Sequence, residues 1–317
     1  MAPRGYVVAL AIAAVAACGV AGSGCAAASP VPPAPGDSLE PHWQDVFDGV
    51  PELFVVLRPE RLRRDPMYGQ LLNRAIDAAR AQSPVVAATR ALDAIDDADE
   101  IVVGLQGGDV VAVALGVRAD VDPAKLVDSG GRPLWAPAES GGRVRELTGT
   151  TEPSASLFEL PGRTWVMASG EARMLARQVF AHPLNRPMLD RGGDALAMIR
   201  IDGRSLVRRV PQLATGMLAA AGRHLQSVRV TLSPGEDHTV LATLFYADDD
   251  AAGVAAITLR EAAAALGRAR SAENLAWLGA AQVEQSGTHV VIRAPLPPEL
   301  VGALKHPLSG EGPRKTN

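Results

Sequence analysis

The sequence predicts an α+β protein of two related domains, each with the order strand, helix, hairpin, helix, strands, helix around a mainly antiparallel sheet. Two observations predict this fold class. Short β-rich runs are paired across turn residues in both halves, as in antiparallel hairpins. In addition, Pro51–Arg64 and Gly193–Arg209 share a pattern in which an acidic residue opens a short apolar strand that closes on an arginine, before an arginine-bearing helix. A pattern repeated at long spacing indicates duplication of one unit.

The composition fits a globular protein and argues against a nucleic-acid binder. The 317 residues are enough for two domains, and 47% of them are apolar. Nucleic-acid-binding proteins carry an excess of basic residues, whereas the net charge here is -4. We therefore expect no nucleic-acid partner.

The N-terminal segment 1–24 has the features of a secretory signal peptide. Tyr6–Ala17 is an apolar run, and no charged residue occurs between Gly5 and Gly36. Small residues precede Cys18 and Cys25 just past this run, and each cysteine resembles the acylated cysteine of the bacterial lipobox. The resemblance implies that lipid is attached to the cysteine, which becomes the new N-terminus.

Cys25 is the favoured lipidation site and Cys18 is the alternative. Ser23–Gly24 precedes Cys25, and acylation there would leave no free thiol in the mature chain, whereas Cys18 has the better residue three positions upstream, Val15. Cleavage after Ala28 with release to the periplasm, or retention of an uncleaved membrane anchor, are the other possibilities. The mature lipoprotein would have no pair of free cysteines, so no disulfide is expected.

Residues 25–46 are predicted to form a lipidated tether that is rich in proline and alanine. Proline favours extended backbone, so such a segment spaces a folded body from its anchor. The residues after the two cysteines, Gly19 and Ala26, are not the aspartate that keeps lipoproteins of this general kind at the inner membrane. The resemblance therefore implies the outer membrane.

The first α+β domain is predicted to span residues 47–185. Leu53–Leu57 is a continuous apolar run, which predicts a strand that is buried on both faces. Apolar spacing predicts a helix over Tyr68–Ala81, and Ser83 with Pro84 starts a second helix that runs to Ile95. Gly107–Gly108–Asp109 predicts a hairpin. The further predicted elements are strands Ile101–Gln106 and Val110–Val117, a short helix Asp122–Val127, a loop Gly130–Gly142, strands Arg143–Leu147, Ser156–Leu160 and Thr164–Ala168, and a helix Gly170–Ala181.

The second domain is predicted to span residues 190–305, followed by a disordered tail over residues 306–317. Pro211 should kink or break its first helix, since proline removes a helical hydrogen bond. Asp248–Asp250 should start a long alanine-rich helix, because carboxylates favour the helix N-terminus. The predicted elements are strand Ala195–Ile201, helix Ser205–Ala221, strands Leu225–Leu232 and Thr239–Tyr246, the alanine-rich helix, strands Ala281–Gln285 and His289–Ala294, and a closing helix Pro297–Leu304.

The strand, small-residue turn and helix in TWVMASGEARMLARQV, together with the early strand and long helix, resemble a class of exported bacterial proteins described only as a domain of unknown function. The resemblance covers residues 50–304. It implies an envelope location and an α+β fold, and it carries no catalytic residues.

No catalytic motif is present, so we expect no enzyme activity, cofactor or metal. The sequence lacks a G-x-S-x-G elbow, an H-E-x-x-H helix and a phosphate-binding G-x-x-x-x-G-K-[ST] loop. No histidine has a metal-ligand spacing from another histidine. The acidic run from Asp93 to Glu100 lacks the glycine and the alternation of a calcium loop, which favours a solvated connection.

Arginines cluster where each repeat passes from strand to helix, and they form a possible anion-binding site: Arg58, Arg61, Arg64, Arg204 and Arg208. Local pairing with neighbouring carboxylates is the alternative explanation. The sequence thus predicts an exported, lipid-anchored envelope protein with a binding or structural role, bound to the membrane through its lipid and to an unknown envelope ligand or protein. The alternative is an envelope hydrolase whose site is assembled from distant residues.

Overall fold

A computed structural model describes residues 40–65, 68–69, 98–127, 131–138, 144–150, 155–184, 189–210, 213, 215–234, 239–268 and 279–295. The chain divides into two compact units. The first comprises Met1–Arg61, Arg74–Gly193 and Ala197–Ile201; the second comprises Leu62–Asn73, Asp194–Leu196 and Asp202–Asn317.

The first unit is built on an antiparallel sheet with the strand order β8-β1-β2-β3-β7-β6-β5-β4. Strand β1 pairs with β2 on one side and with β8 on the other. The strands are β1 (Leu53–Leu57), β2 (Glu100–Gln106), β3 (Asp109–Leu115), β4 (Trp135–Pro137), β5 (Arg145–Gly149), β6 (Ala155–Leu160), β7 (Thr164–Ser169) and β8 (Ala197–Asp202). Helix α1 (Pro59–Arg64) begins in this unit and its last three residues belong to the second. The first unit also contains helix α2 (Gly170–Ala181) and short 3-10 turns at Trp43–Val46 and Pro123–Lys125.

The main core of the first unit lies between this sheet, helix α2 and the 3-10 turn Trp43–Val46. Phe47 packs edge-to-face against Phe54 of β1, and Phe158 of β6 packs against Phe180 of α2 in the same way. A side chain at Gly104 would overlap the Phe47 ring, so this glycine lets the ring lie flat on β2. The turn Trp43–Val46 is buried. The predicted tether therefore ends earlier than residue 46, because apolar burial draws these residues into the fold.

The second unit has the strand order β9-β10-β12-β11, again antiparallel. Its strands are β9 (Leu225–Leu232), β10 (Thr239–Tyr246), β11 (Gln282–Ser286) and β12 (His289–Pro295), and its helices are α3 (Gly203–Arg209), α4 (Ala219–Gly222) and α5 (Asp249–Arg268). One face of the sheet contributes Leu244 and Val290 to a core with Leu206 of α3, Ala221 of α4 and Ala255 of α5. Helices α3, α4 and α5 thus contribute to the core on one face of the sheet.

The fold class is confirmed as α+β with a mainly antiparallel sheet. The two units also share a strand topology. Each unit has an early hairpin, β2–β3 or β9–β10, and a later hairpin, β6–β7 or β11–β12. In both units the second strands of the two hairpins pair with each other, as β3 with β7 and β10 with β12. This shared order supports the predicted duplication. The two strands that open the repeats, β1 and β8, pair with each other, so β8 belongs to the first unit rather than to the predicted second domain.

Three predicted elements differ from the structure. The predicted loop Gly130–Gly142 contains the short strand β4, and the predicted helix Asp122–Val127 is only a 3-10 turn. The predicted helix Ser205–Ala221 is interrupted after α3, whose cap is Val210, directly before Pro211. Several predictions lie outside the described residues: Cys18 and Cys25, helix Ser83–Ile95 and most of helix Tyr68–Ala81, helix Pro297–Leu304 and the tail 306–317. Among the helices that the structure describes, none is long and apolar enough to span a membrane.

Candidate functional site

A cleft of about 720 Å³ lies within the second unit. Its walls come from the start of α3, the turn between α4 and β9, the first residues of β9 and the residue after β10. Its lining residues are Asp202, Gly203, Arg204, Val207, Gly222, His224, Leu225, Gln226 and Ala247. The lining combines two side chains of opposite charge, an imidazole and an amide with the apolar groups of Val207, Leu225 and Ala247.

Two glycines bring the backbone segments of the cleft close together. A side chain at Gly203 would overlap the carbonyl of Leu225, and one at Gly222 would overlap the carbonyl of Leu213. Glycine at these positions lets α3 and α4 approach neighbouring backbone at a distance that no larger residue allows. The shape of the cleft therefore depends on these two residues.

Asp202 holds the start of α3 from within the cleft. Its carboxylate accepts a hydrogen bond from the backbone N–H of Ser205 at 2.9 Å, which satisfies one of the free donors at the helix start. The Ser205 hydroxyl in turn accepts from Arg208 Nη2 at 3.1 Å. The N-terminus of this short helix is thus already occupied by a carboxylate of the chain, so any anion in the cleft must be held by side chains.

His224 adopts a left-handed backbone conformation at the mouth of the cleft, with φ of 59°. This conformation is uncommon for residues other than glycine and costs free energy. The His224 carbonyl accepts a hydrogen bond from the Ala247 backbone, which fixes the turn against the end of β10. His224 and Gln226 both line the cleft.

Arg204 is the only one of the five predicted anion-binding arginines that lines the cleft. It is exposed, and within the described part of the chain its guanidinium makes no ion pair. Arg208 lies one turn further along α3 and donates to Ser205. Arg61 and Arg64 are exposed on helix α1 and do not line the cleft.

The structure assigns Arg58 to a buried ion-pair network, which does not support its predicted role in anion binding. Its Nε and Nη2 donate to Glu100 Oε2 at 3.1 and 3.0 Å, and Nη2 also donates to the Arg191 carbonyl. Arg191 Nη1 donates to the other oxygen of Glu100 at 2.9 Å. Glu100 was predicted to end a solvated acidic run, but it is buried because Arg58 and Arg191 neutralise it.

A second buried carboxylate, Glu146 of β5, also has a structural role. It accepts from the Ser156 hydroxyl at 2.7 Å and from Arg177 Nε of α2 at 2.8 Å. The hydrogen bond from Arg177 to Glu146, with a smaller Coulombic contribution from the same carboxylate, raises the pKa of Arg177 above its usual value. Ser156 is fully buried. This Ser–Glu–Arg cluster therefore ties α2 to the sheet and is closed to a substrate.

The described lining of the cleft contains no serine, threonine, cysteine or lysine, and its ionisable side chains are those of Asp202, Arg204 and His224. No group of three or more His, Cys, Asp or Glu residues suited to a metal ion occurs among the described residues.

Of the cleft residues, the sequence analysis named Arg204 as a possible anion-binding residue and did not name His224, Gln226 or Ala247. The only sequence signal for these three is that they lie at the ends of two predicted strands that pair as a hairpin.

No family model and no curated protein matches the chain. Three solved structures are similar in fold, all of TP0453. Crystal form IV is 10% identical over 85% of this chain and 98% of that chain, with a TM-score of 0.43. Crystal form I is 11% identical over 84% of this chain and 96% of that chain, with a TM-score of 0.42. Crystal form III is 11% identical over 80% of this chain and 92% of that chain, with a TM-score of 0.40.

Proposed function

We propose that the chain is an exported, lipid-anchored binding protein of the cell envelope, and that the cleft of the second unit receives a small ligand with an anionic group. The cleft carries this proposal. Its volume of about 720 Å³ falls within the range of small-molecule sites, and Arg204 supplies a guanidinium without an ion-pair partner among the described residues. A guanidinium can bind carboxylate or phosphate through two parallel hydrogen bonds.

The remaining lining residues define the kind of ligand. Gln226 and the His224 imidazole offer both hydrogen-bond donors and acceptors, whereas Val207 and Leu225 offer apolar contact. Asp202 adds a carboxylate that would attract a donor group of the ligand. The set favours a small polar molecule that pairs one anionic group with hydroxyl or amino groups.

Binding is preferred over hydrolysis because the described lining of the cleft contains no serine, threonine, cysteine or lysine nucleophile. The Asp202 carboxylate is already hydrogen-bonded to the start of α3, and the Ser205 hydroxyl is buried and accepts from Arg208. The envelope location rests on the sequence: a signal-like apolar run, a lipobox-like cysteine and a proline-rich tether. The lipid would supply the membrane contact, and the outer membrane is the proposed location.

Cell fractionation of cysteine variants tests the anchor. Cys25→Ala should move the protein from the membrane fraction to the soluble fraction, because no acyl chain can then be attached. Cys18→Ala is the matched control and should leave the protein in the membrane fraction. Release of Cys18→Ala alone would show that Cys18 is the lipidation site. Membrane retention of both variants would contradict lipid anchoring.

Thermal unfolding with inorganic phosphate as the probe tests the cleft. A ligand present at ten times its dissociation constant stabilises the folded state by about 1.4 kcal/mol, so phosphate should raise the Tm of the parent. The increase should be lost in Arg204→Ala and kept in Arg208→Ala, which removes the same charge one turn away and outside the cleft. An equal response of the parent and Arg204→Ala would refute the role of the cleft arginine.

A further inference from the structure

The cleft of the second unit contains two opposite charges that do not neutralise each other. Asp202 and Arg204 both line it. Within the described part of the chain they form no ion pair with each other, and Arg204 is exposed. The cleft therefore offers a ligand one anionic and one cationic group, and electrostatic complementarity favours a ligand that carries both charges.

One oxygen of the Asp202 carboxylate is available to a ligand. Its Oδ2 accepts from the backbone N–H of Ser205 at 2.9 Å, whereas its Oδ1 accepts no hydrogen bond from the residues that the structure describes. Asp202 is partly exposed, and an ionised carboxylate can accept several hydrogen bonds. Asp202 can thus cap α3 and bind a cationic donor of the ligand at the same time.

The two charges favour an ammonium group over a hydroxyl group on the ligand. An anionic ligand that carries only hydroxyl groups would be attracted by Arg204 and repelled by Asp202, so the two Coulombic energies would largely cancel. A zwitterion is attracted by both residues. Its hydrogen bonds to them would also be charge-assisted, which makes them roughly twice as strong as bonds between neutral groups.

Apolar side chains beside the charges indicate what else the ligand carries. Val207 lies three residues after Arg204 on α3, so the two side chains are neighbours on the helix surface. Val207 is partly exposed, and Ala247 contributes an exposed methyl group to the same cleft. Polar groups for the rest of the ligand come from His224 and Gln226, which are both exposed.

We propose that the ligand of the cleft is an α-amino acid or a short peptide with an apolar side chain. Its ammonium group is held by Asp202 and its carboxylate by Arg204, with the apolar side chain against Val207. This inference rests on the proposed function of the cleft and specifies its ligand. A free amino acid and a peptide share the same pair of terminal charges, so the experiment includes both.

Isothermal titration calorimetry on the purified full-length chain in detergent tests the ligand class. The zwitterionic probes are leucine and leucyl-leucine. Isocaproate is leucine without its amino group, and isoamylamine is leucine without its carboxyl group. Each of these two analogues should bind about tenfold or more weakly than the tighter zwitterion, because each loses one charge-assisted contact. Tighter binding of leucine would identify a free amino acid as the ligand, and tighter binding of leucyl-leucine would identify a peptide.

Asp202→Asn isolates the contact with the ammonium group. Asparagine keeps an oxygen that can cap α3, so the fold should be retained while the charge is lost. The variant should bind the zwitterions about tenfold more weakly, and it should bind isocaproate no more weakly than the parent because the repulsion is removed. Arg204→Ala should instead weaken the binding of isocaproate and of the zwitterions together.

The matched control is Asp248→Asn. The Asp248 carboxylate caps the start of α5 in the same way, 2.7 Å from the Ala251 nitrogen, and does not line the cleft. This variant should keep the preference of the parent for the zwitterions over isocaproate.

Three results would overturn the inference: isocaproate binds as tightly as both zwitterions, Asp202→Asn keeps the preference of the parent, or neither leucine nor leucyl-leucine binds. If phosphate still raises the Tm of the parent in these cases, the anion-binding cleft stands and only the amino-acid or peptide class is rejected. If the phosphate response and zwitterion binding are both absent, the proposed function of the cleft is rejected together with this inference.

Discussion

Replacing Glu100 by leucine should destabilise the first unit by about 3–5 kcal/mol, because it leaves a buried cation without its anion. The side chains of Arg58 and Glu100 are only 8% and 9% exposed, so water cannot take over their interaction. Three donor atoms converge on the carboxylate, two from Arg58 and one from Arg191. Arg191 is 36% exposed and can turn to solvent, whereas Arg58 cannot. Most of the cost therefore comes from Arg58.

A double-variant cycle tests this account. If the cost arises from the uncompensated guanidinium, Arg58→Leu/Glu100→Leu should lose less than the sum of the single variants, by about 2 kcal/mol or more. Urea unfolding followed by tryptophan fluorescence is suitable, since Trp43 and Trp165 are buried in the first unit. Asp120→Ala, which breaks the exposed ion pair with Arg118, is the control and should leave the unfolding midpoint unchanged. Additive losses in the cycle would refute the reasoning.

Two further substitutions have defined outcomes. Tyr246→Phe removes the hydrogen bond from the buried phenol to the Ala221 carbonyl at 2.8 Å and should cost about 1 kcal/mol at neutral pH. Burial raises the pKa of Tyr246 above its unfolded value of about 10, so the parent should lose stability as pH rises above about 10. Urea unfolding at neutral pH and above pH of about 10 should therefore show a smaller alkaline loss of stability in the variant than in the parent. An identical alkaline loss in both proteins would contradict this. Glu146→Gln should cost about 1–2 kcal/mol by the same assay, less than Glu100→Leu, because the amide keeps an acceptor and Arg177 is partly solvated; a larger loss than for Glu100→Leu would contradict the ranking.

The strands and their pairing could largely be predicted from the sequence, because local pattern determines them. The apolar run of β1 and the turn Gly107–Gly108 each act within a few residues. The strand β4 was missed because three residues containing a proline show no alternation, and pairing with β5 alone defines it. A break near Pro211 was predicted, but the end of helix α3 at Arg209 was not.

The candidate site was less predictable, since it depends on contacts that are distant in the sequence. Arg58 was predicted as a possible anion ligand because nothing near it shows that Glu100, 42 residues later, neutralises it. His224 lines the cleft because of its left-handed backbone and its bond to Ala247, neither of which has a sequence pattern.

The outermost strands bear on how this protein behaves when many copies are crowded together. The exposed backbone of an outer strand is a template for pairing with another chain, which leads to aggregation. In the second unit the outer strand β11 is short, and four of its five residues are exposed and polar, with a charge at Glu284. In the first unit the outer strand β4 has three residues and ends in Pro137, which has no N–H to donate. The outer strands β11 and β4 thus discourage intermolecular β-pairing, which would favour single copies at high protein concentration.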